Sequence, residues 1–466
     1  MTGSRSLYDL TGPELAALAA EAGEPAYRGR QLGHWLDRRR VVDPLAMTDL
    51  PAGFRERLAE RFTGSGLTLD RHQTGDGGWT HKFLFRLAGG DGVESVLMFY
   101  PAAGRGVPTE PDEQDHDWEG GRVGRATVCI STQAGCAMGC TFCATGQFGF
   151  TRNLSTGEVV EQVARVWAML PELRPRADAP DHLTNVVFMG MGEPFANQSA
   201  TWAAAWRLHQ GLGLSARAVT ISTVGLVPGI RRATAEPLAV NLAVSIHAPD
   251  DELRSRLVPV NRTWPIAELL AAVGDYVRAT RRRVSFEYAL MQGVNDDPEQ
   301  GRRLGRLLAP LRVPGSGGHA AHVNLIPYNP TPGSGFAPPS RTAARRFRDA
   351  VASTGVPVSI RATRGVGIDA ACGQLHTTAG RPGRTVLPLV AAGGSGGLKE
   401  RSGSPPGIRG SGRSDEGSGG REVGRSRAPD GLRSDEGAPG DGGATREAGA
   451  PGGGGPPTVS VKGRPA

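Results

Sequence analysis

The chain has 466 residues, with 53 Lys+Arg against 46 Asp+Glu and a net charge of +7. Five cysteines in that length are no disulfide framework and suit free thiols in a reducing compartment. No apolar run approaches the roughly eighteen residues of a membrane span and no apolar secretory core opens the chain, so the expectation is a soluble, cytoplasmic, multidomain protein with no membrane partner; the basic excess suits an anionic partner without proving one.

Residues 1–65 read as a small helical domain. Thr11-Gly12-Pro13 forms a cap with an early proline ahead of Leu15, Leu18 and Ala22. A second helix is predicted over 27–40, with Leu32, Trp35 and Leu36 as its apolar stripe and Arg28, Arg30, Arg38, Arg39 and Arg40 on its other faces. Those arginines suit either a solvated face or a phosphate-contacting surface. Residues 66–124 follow as a linker: a hairpin over 80–87 and 93–100 with Gly89-Gly90-Asp91-Gly92 as its turn, then an acidic, glycine-rich loop at 102–122. Glu94 lies in the second hairpin strand, where a glutamate ordinarily faces solvent.

From about residue 125 strands alternate with helices, at 126–131, 185–189, 218–223, 239–245, 284–290 and 322–326. Ser155 and Glu158 form a capping box at the head of one helix. Six βα units predict an α/β fold with an open, partial (β/α)6 TIM-like barrel over 125–386, with a further strand-like segment at 356–362. From 387 to 466 the chain is rich in Gly, Ser, Pro and Arg and repeats RSDEG, so a disordered tail is expected.

The chemistry concentrates at 129–154, CISTQAGCAMGCTFCATGQFGFTRNL, where Cys136, Cys140 and Cys143 stand as C-x3-C-x2-C with Cys129 seven residues upstream. Thiolates select zinc, Cu(I) or iron–sulfur clusters. Three of them leave one iron of a [4Fe–4S] cluster without a protein ligand, open to a substrate or cofactor. A zinc site with Cys129 as fourth ligand is the alternative, and buried inert thiols a third.

These residues resemble the radical S-adenosylmethionine (SAM) superfamily. The longer string resembles the dual-specificity 23S rRNA and tRNA adenine carbon-2 methyltransferases, as does TRG-x2-IDAACGQL around Cys372. The resemblance implies a radical-SAM barrel and an N-terminal domain that contacts RNA. Its cofactors are a [4Fe–4S] cluster on Cys136, Cys140 and Cys143, and SAM. It carries SAM contacts onto Gly192 and Glu193 of the G-M-G-E-P turn, Ser222, Ser245-Ile246-His247, and Asn329 of I-P-Y-N-P. Gly192 is read as letting backbone approach a ligand, and Asn329 as an adenosine or ribose ligand. Glu94 takes the place of a proton acceptor. Adenine carbon 2 is a poor nucleophile, and the implied chemistry bypasses that by radicals. Cys372 is methylated by one SAM, a 5′-deoxyadenosyl radical from a second takes a hydrogen from that methyl, and the resulting carbon adds to the base. Cys129 then helps remove the ring proton, and a Cys129–Cys372 disulfide releases the product. The implied partners are 23S rRNA, tRNA and an electron donor such as flavodoxin or ferredoxin, with the enzyme a monomer. Two departures stand out: the acidic loop at 102–122 is longer than the family's, and Val366-Gly367 replace acidic residues. A carbon-8 rRNA methylase of the same branch, another radical-SAM enzyme, and a zinc-containing RNA-binding protein remain as rival readings.

Overall fold

The computed structural model describes residues 6–62, 65–101, 124–331, 333–361 and 363–375. The acidic loop at 102–122 and the tail from 387 lie outside the described residues.

One ten-stranded sheet organises the described chain, in the order β1-β2-β3-β4-β7-β8-β9-β10-β11-β12. Its first part is an antiparallel meander of β1 (Leu67–Gly75), β2 (Thr80–Leu87) and β3 (Gly92–Tyr100), joined antiparallel to β4 (Arg125–Cys129). A small separate ribbon pairs β5 (Gln133–Gly135) with β6 (Phe150–Asn153). From β4 the main sheet runs parallel through β7 (Asn185–Phe188), β8 (Val219–Thr223), β9 (Asn241–Ser245), β10 (Val284–Leu290), β11 (Ala321–Pro327) and β12 (Val358–Ile360). The expected partial barrel is therefore present, and the segment at 356–362 supplies its seventh parallel strand. The hairpin is continuous with the barrel sheet, and β1 extends it. β1 escapes a pattern search because it is an edge strand whose residues alternate little and stay largely exposed; charged side chains such as Asp70 and Arg71 are what an unpaired edge tolerates.

The helices are α1 (Gly12–Glu21), α2 (Tyr27–His34), α3 (Ala52–Arg61), α4 (Ala144–Phe148), α5 (Thr156–Leu173), α6 (Gln198–Gln210), α7 (Val227–Ala235), α8 (Asp251–Leu257), α9 (Ile266–Thr280), α10 (Pro298–Leu308) and α11 (Arg341–Ala352). Both predicted starts hold: Thr11 caps α1 with Glu14, and Ser155 exchanges hydrogen bonds with Glu158 at the head of α5. The helix predicted over 27–40 does not run through. It loosens into a π turn over Trp35–Arg39 and ends with Arg40 left-handed at φ 58°.

That end docks on the barrel. Asp37 takes the Arg207 guanidinium of α6 at 3.0 Å. Arg40 lies over the Trp167 ring of α5, 4.1 Å from its centroid. Asp9 accepts from the Gly157 amide at the N-terminus of α5 at 2.6 Å, where a Cβ on residue 157 would collide with it. Arg38 packs against Gly213, and Arg39 covers the Trp35 ring. The basic face is thus partly structural: Arg30, Arg38 and Arg39 remain exposed, and Arg40 does not. No helix among the described residues is long and apolar enough to cross a membrane.

Candidate active site

In a parallel barrel the C-terminal ends of the strands carry the functional residues, and every sequence-assigned barrel residue lies there. β4 ends at Cys129, and the chain enters the cluster loop. The Ser131 hydroxyl donates to Glu94 O at 2.6 Å and receives the Met191 amide at 2.9 Å, which ties β3, β4 and the turn after β7 together. In that turn Gly192 has φ 101°, and a Cβ there would lie 2.8 Å from the Gln133 amide nitrogen. The close packing of Gln133 against this turn requires glycine there. Gln133, which sequence reasoning missed, receives the Glu193 amide on Oε1 at 2.9 Å and donates from Nε2 to Asn153.

Glu193 is buried, and its two carboxyl oxygens accept from the Phe195 and Val224 amides at 3.0 and 2.8 Å. Burial raises its pKa to about 7 against those hydrogen bonds. Such a carboxylate has spare lone pairs and gains from a cationic ligand. The Ser222 hydroxyl donates to Phe188 O at 2.7 Å, linking β8 to β7. His247 is buried in a left-handed conformation at φ 57°; its Nδ1 accepts from the Ala289 amide at 2.9 Å, leaving Nε2 as the donor. Burial, helped by Arg254, pushes its pKa down to about 3, so the ring is neutral. Phe142, beside the last cluster cysteine, meets this ring edge-on at 4.6 Å.

The cluster loop is held from outside its own sequence. The Thr141 amide donates to Leu257 O of α8 at 3.1 Å, and the Ala144 amide donates to Gly373 O at 2.8 Å. The Thr145 hydroxyl donates to Leu375 O at 2.5 Å. A Cβ on residue 146 would lie 3.1–3.2 Å from Cys140 backbone, so glycine lets the loop close on itself. Cys136 and Cys140 are driven up by burial, Cys136 to about 12, with Cys143 adding to both and Cys136 adding to Cys140. Among the described residues no three Cys, His, Asp or Glu side chains are set to hold one metal ion. A [4Fe–4S] cluster takes each cysteine on a different iron and makes no such demand. Three neighbouring thiols in one buried loop fit that group, and metal binding would deprotonate them outright.

Cys372, distant in sequence, lies in the same place. Asn329 Nδ2 donates to Cys372 O at 3.1 Å, so the residue assigned as a nucleoside ligand also fixes this segment. Gln374 donates to Pro330 O at 3.0 Å. Cys372 keeps an exposed surface, yet enough protein surrounds it that burial pushes its thiol up to about 11, against the pull of Arg361. It is within electrostatic reach of Cys129 and Cys143. Burial pushes Cys129 to about 12. All five cysteines are free, so the implied Cys129–Cys372 disulfide is not present. Both thiols stay protonated near neutrality, and the thiolate is the form that forms disulfides.

Two residues that sequence reasoning missed sit with them. Arg361 holds its charge, although burial opposes it, because Tyr100, Glu287 and Cys372 surround it. Glu287 of β10 is buried; Oε1 accepts from Asn324 at 2.9 Å while Oε2 has no hydrogen-bond partner among the described residues. The strand-end rule applied to the segment at 356–362 would have found Arg361. Glu94 is less open than its assigned role suggests. It is buried in an ion pair with Lys82 at 2.9 Å, and Lys82 also donates to Asp369 O of the Cys372 segment at 3.0 Å.

Residues 130–302 match the family model of the Radical SAM superfamily, and residues 5–63 that of the ribosomal RNA large subunit methyltransferase N-terminal domain. A relative from Roseiflexus castenholzii, named "Probable dual-specificity RNA methyltransferase RlmN", is 47% identical over 79% of this chain and 95% of its own. One of the same name from Chloroflexus aurantiacus is 49% identical over 83% and 94%. The crystal structure of a radical SAM methyltransferase from Sphaerobacter thermophilus, 46% identical, superposes with a TM-score of 0.69 over 79% of this chain and 98% of that one. The chain, with its cysteine loop at the barrel mouth and its helical N-terminal region, belongs to the RlmN-type dual-specificity RNA methyltransferases of the radical SAM superfamily.

Proposed function

We propose that this radical-SAM RNA methyltransferase methylates carbon 2 of adenine in 23S rRNA and in tRNA, with Cys372 as methyl carrier and Cys129 as the thiol that completes turnover. The observation that carries the reading is the docking of the Cys372 segment on the cluster loop through Ala144 and Thr145 and on the end of β11 through Asn329. Cys136, Cys140 and Cys143 would hold a [4Fe–4S] cluster. Bound there with SAM, and reduced by a flavodoxin- or ferredoxin-type donor, that group supplies the radical chemistry an electron-poor carbon requires.

This chain's residues then do the following. Glu193 receives the SAM ammonium, and Gly192 sets the turn that aims it. Ser222, Ser245, Ile246 and His247 line the adjoining strand ends, where neutral His247 offers Nε2–H. Asn329 holds Cys372 O and borders the nucleoside position. Cys372 carries the methyl to the base. Cys129, within electrostatic reach and once ionised, helps remove the ring proton, the step on which clearance of the adduct depends. Glu94 serves as a proton acceptor, connected to the Cys372 segment through Lys82. The N-terminal region contacts RNA phosphates through its exposed arginines, and the enzyme acts as a monomer.

The test is anaerobic reconstitution followed by methylation of rRNA and tRNA with labelled SAM. Digestion and mass spectrometry should locate the label as 2-methyladenosine in both RNAs. A label at carbon 8, or on neither RNA, would overturn the reading.

A further inference from the structure

Arg254 is a fully buried arginine with no surface in contact with solvent. It leaves α8 three residues before Leu257, whose carbonyl receives the Thr141 amide between two cluster cysteines. Its guanidinium donates to Val224 O at 2.7 Å, Ser245 O at 3.0 Å, Ile246 O at 3.1 Å and Asn261 Oδ1 at 2.7 Å. All four acceptors are neutral. Asp251 makes no hydrogen bond to it and is joined to it through Asn261, since Asp251 Oδ1 accepts from Asn261 Nδ2 at 2.9 Å and the Ile266 amide at 2.8 Å.

A buried guanidinium satisfied by carbonyls alone has its hydrogen bonds but not its counter-charge, and an uncompensated interior charge is costly. Two negative groups act on it, Cys140 of the cysteine loop first and Asp251 second; Cys140 in turn feels Arg254. His247, also beside Arg254, is neutral. Three thiolates on an iron–sulfur cubane outweigh the core's positive charge, and each electron added increases the excess. Net charge around a cluster is one of the settings of its potential.

We propose that Arg254 is the internal counter-cation of the cluster loop, stabilising the reduced cluster most and so raising its reduction potential. Its hydrogen bonds do a second job, fixing the ends of β8 and β9 that carry the SAM-facing residues. Arg254 touches no reacting atom; it is a positioning and electrostatic residue. Nothing in the sequence around it, APDDELRSRL, marks it apart from the other arginines.

The inference rests on the assignment of a cluster to Cys136, Cys140 and Cys143. The experiment is an EPR-monitored redox titration of the anaerobically reconstituted full chain without SAM. Arg254→Lys keeps the charge and loses the forked geometry, so it should melt at lower temperature while its midpoint potential stays with the wild type. Arg254→Gln keeps amide donors and loses the charge, so its potential should move negative. If Gln prevents folding, citrulline at position 254 keeps the shape and removes the charge, and the same negative shift is expected. An uncharged variant that titrates at the wild-type potential, or a Lys variant that shifts as far as it does, would overturn the inference alone. A wild-type protein without an iron–sulfur signal would overturn the cluster assignment and this inference with it.

Discussion

The N-terminal helical region and the Cys372 segment both dock on the barrel, by opposite means. The first uses side chains: Asp37 on Arg207, Arg40 on Trp167 and Asp9 on the Gly157 amide. The second relies mainly on its backbone: the carbonyls of Cys372, Gly373 and Leu375 are acceptors, with Asn329, Ala144 and Thr145 the donors, and the Gln374 side chain adds a bond to Pro330 O. Backbone docking keeps the Cys372 thiol out of the docking bonds, and the residue retains an exposed surface. Side-chain docking withdraws charged groups from the surface. The same contrast separates the segment proposed to carry the methyl from one that is first a structural brace.

The strongest way to break the comparison is at the loop on which the Cys372 segment docks. Cys140→Ala should abolish iron–sulfur absorption and SAM cleavage while leaving the fold intact. Full SAM cleavage by this variant would dissociate the loop from the chemistry. The next effect concerns the brace. Arg207→Ala leaves Asp37 half-buried without its cation, and burial already raises that carboxyl despite Arg207. A loss of about 2 kcal/mol is expected, at the lower end for a broken buried pair given residual exposure. Asp37→Asn, which can still accept from Arg207, should cost less than about 1 kcal/mol. Thermal melting decides; equal losses would show that the pair is not what holds the region.

Smaller effects sharpen the picture. Asn329→Ala removes the hydrogen bond to Cys372 O, so methylation should fall up to about tenfold, the equivalent of one modest hydrogen bond, with the melting temperature little changed. A drop in stability without loss of rate would make Asn329 a packing residue. Least of all, Arg30→Ala on the exposed part of the basic face should lower the slope of RNA affinity against salt by about one phosphate contact or less. Arg40→Ala should leave that slope alone and lower the melting temperature, because Arg40 faces Trp167. A slope change at Arg40 would return it to the RNA surface.

Legibility in the sequence follows the same division. The six barrel strands and the caps at Thr11 and Ser155 could be read because alternation and capping are local properties. So could the cysteine loop, whose spacing is its chemistry. The edge strand β1 could not, since exposure removes the apolar alternation that betrays a strand. The arginines are hard to read in both directions. Arg40, grouped with the basic face, turns onto Trp167, while nothing in the sequence singles out Arg254, which is fully buried. A guanidinium's fate depends on neighbours distant in sequence. The packing constraint on Gly192 is likewise hidden in the sequence, because Gln133 lies nearly sixty residues away and comes close only in the fold.

The central claim is that Cys372 carries the methyl to the base and Cys129 lets the product go. Cys129→Ala leaves Cys136, Cys140, Cys143 and Cys372 in place, so the carrier can still reach the adenine but cannot be freed. The measurement is a denaturing gel of the Cys129→Ala and Cys372→Ala proteins after expression, with and without ribonuclease. The account predicts a ribonuclease-sensitive covalent protein–RNA species in the Cys129 variant and none in the Cys372 variant. A Cys129 variant that keeps its cluster and runs free of RNA would contradict it.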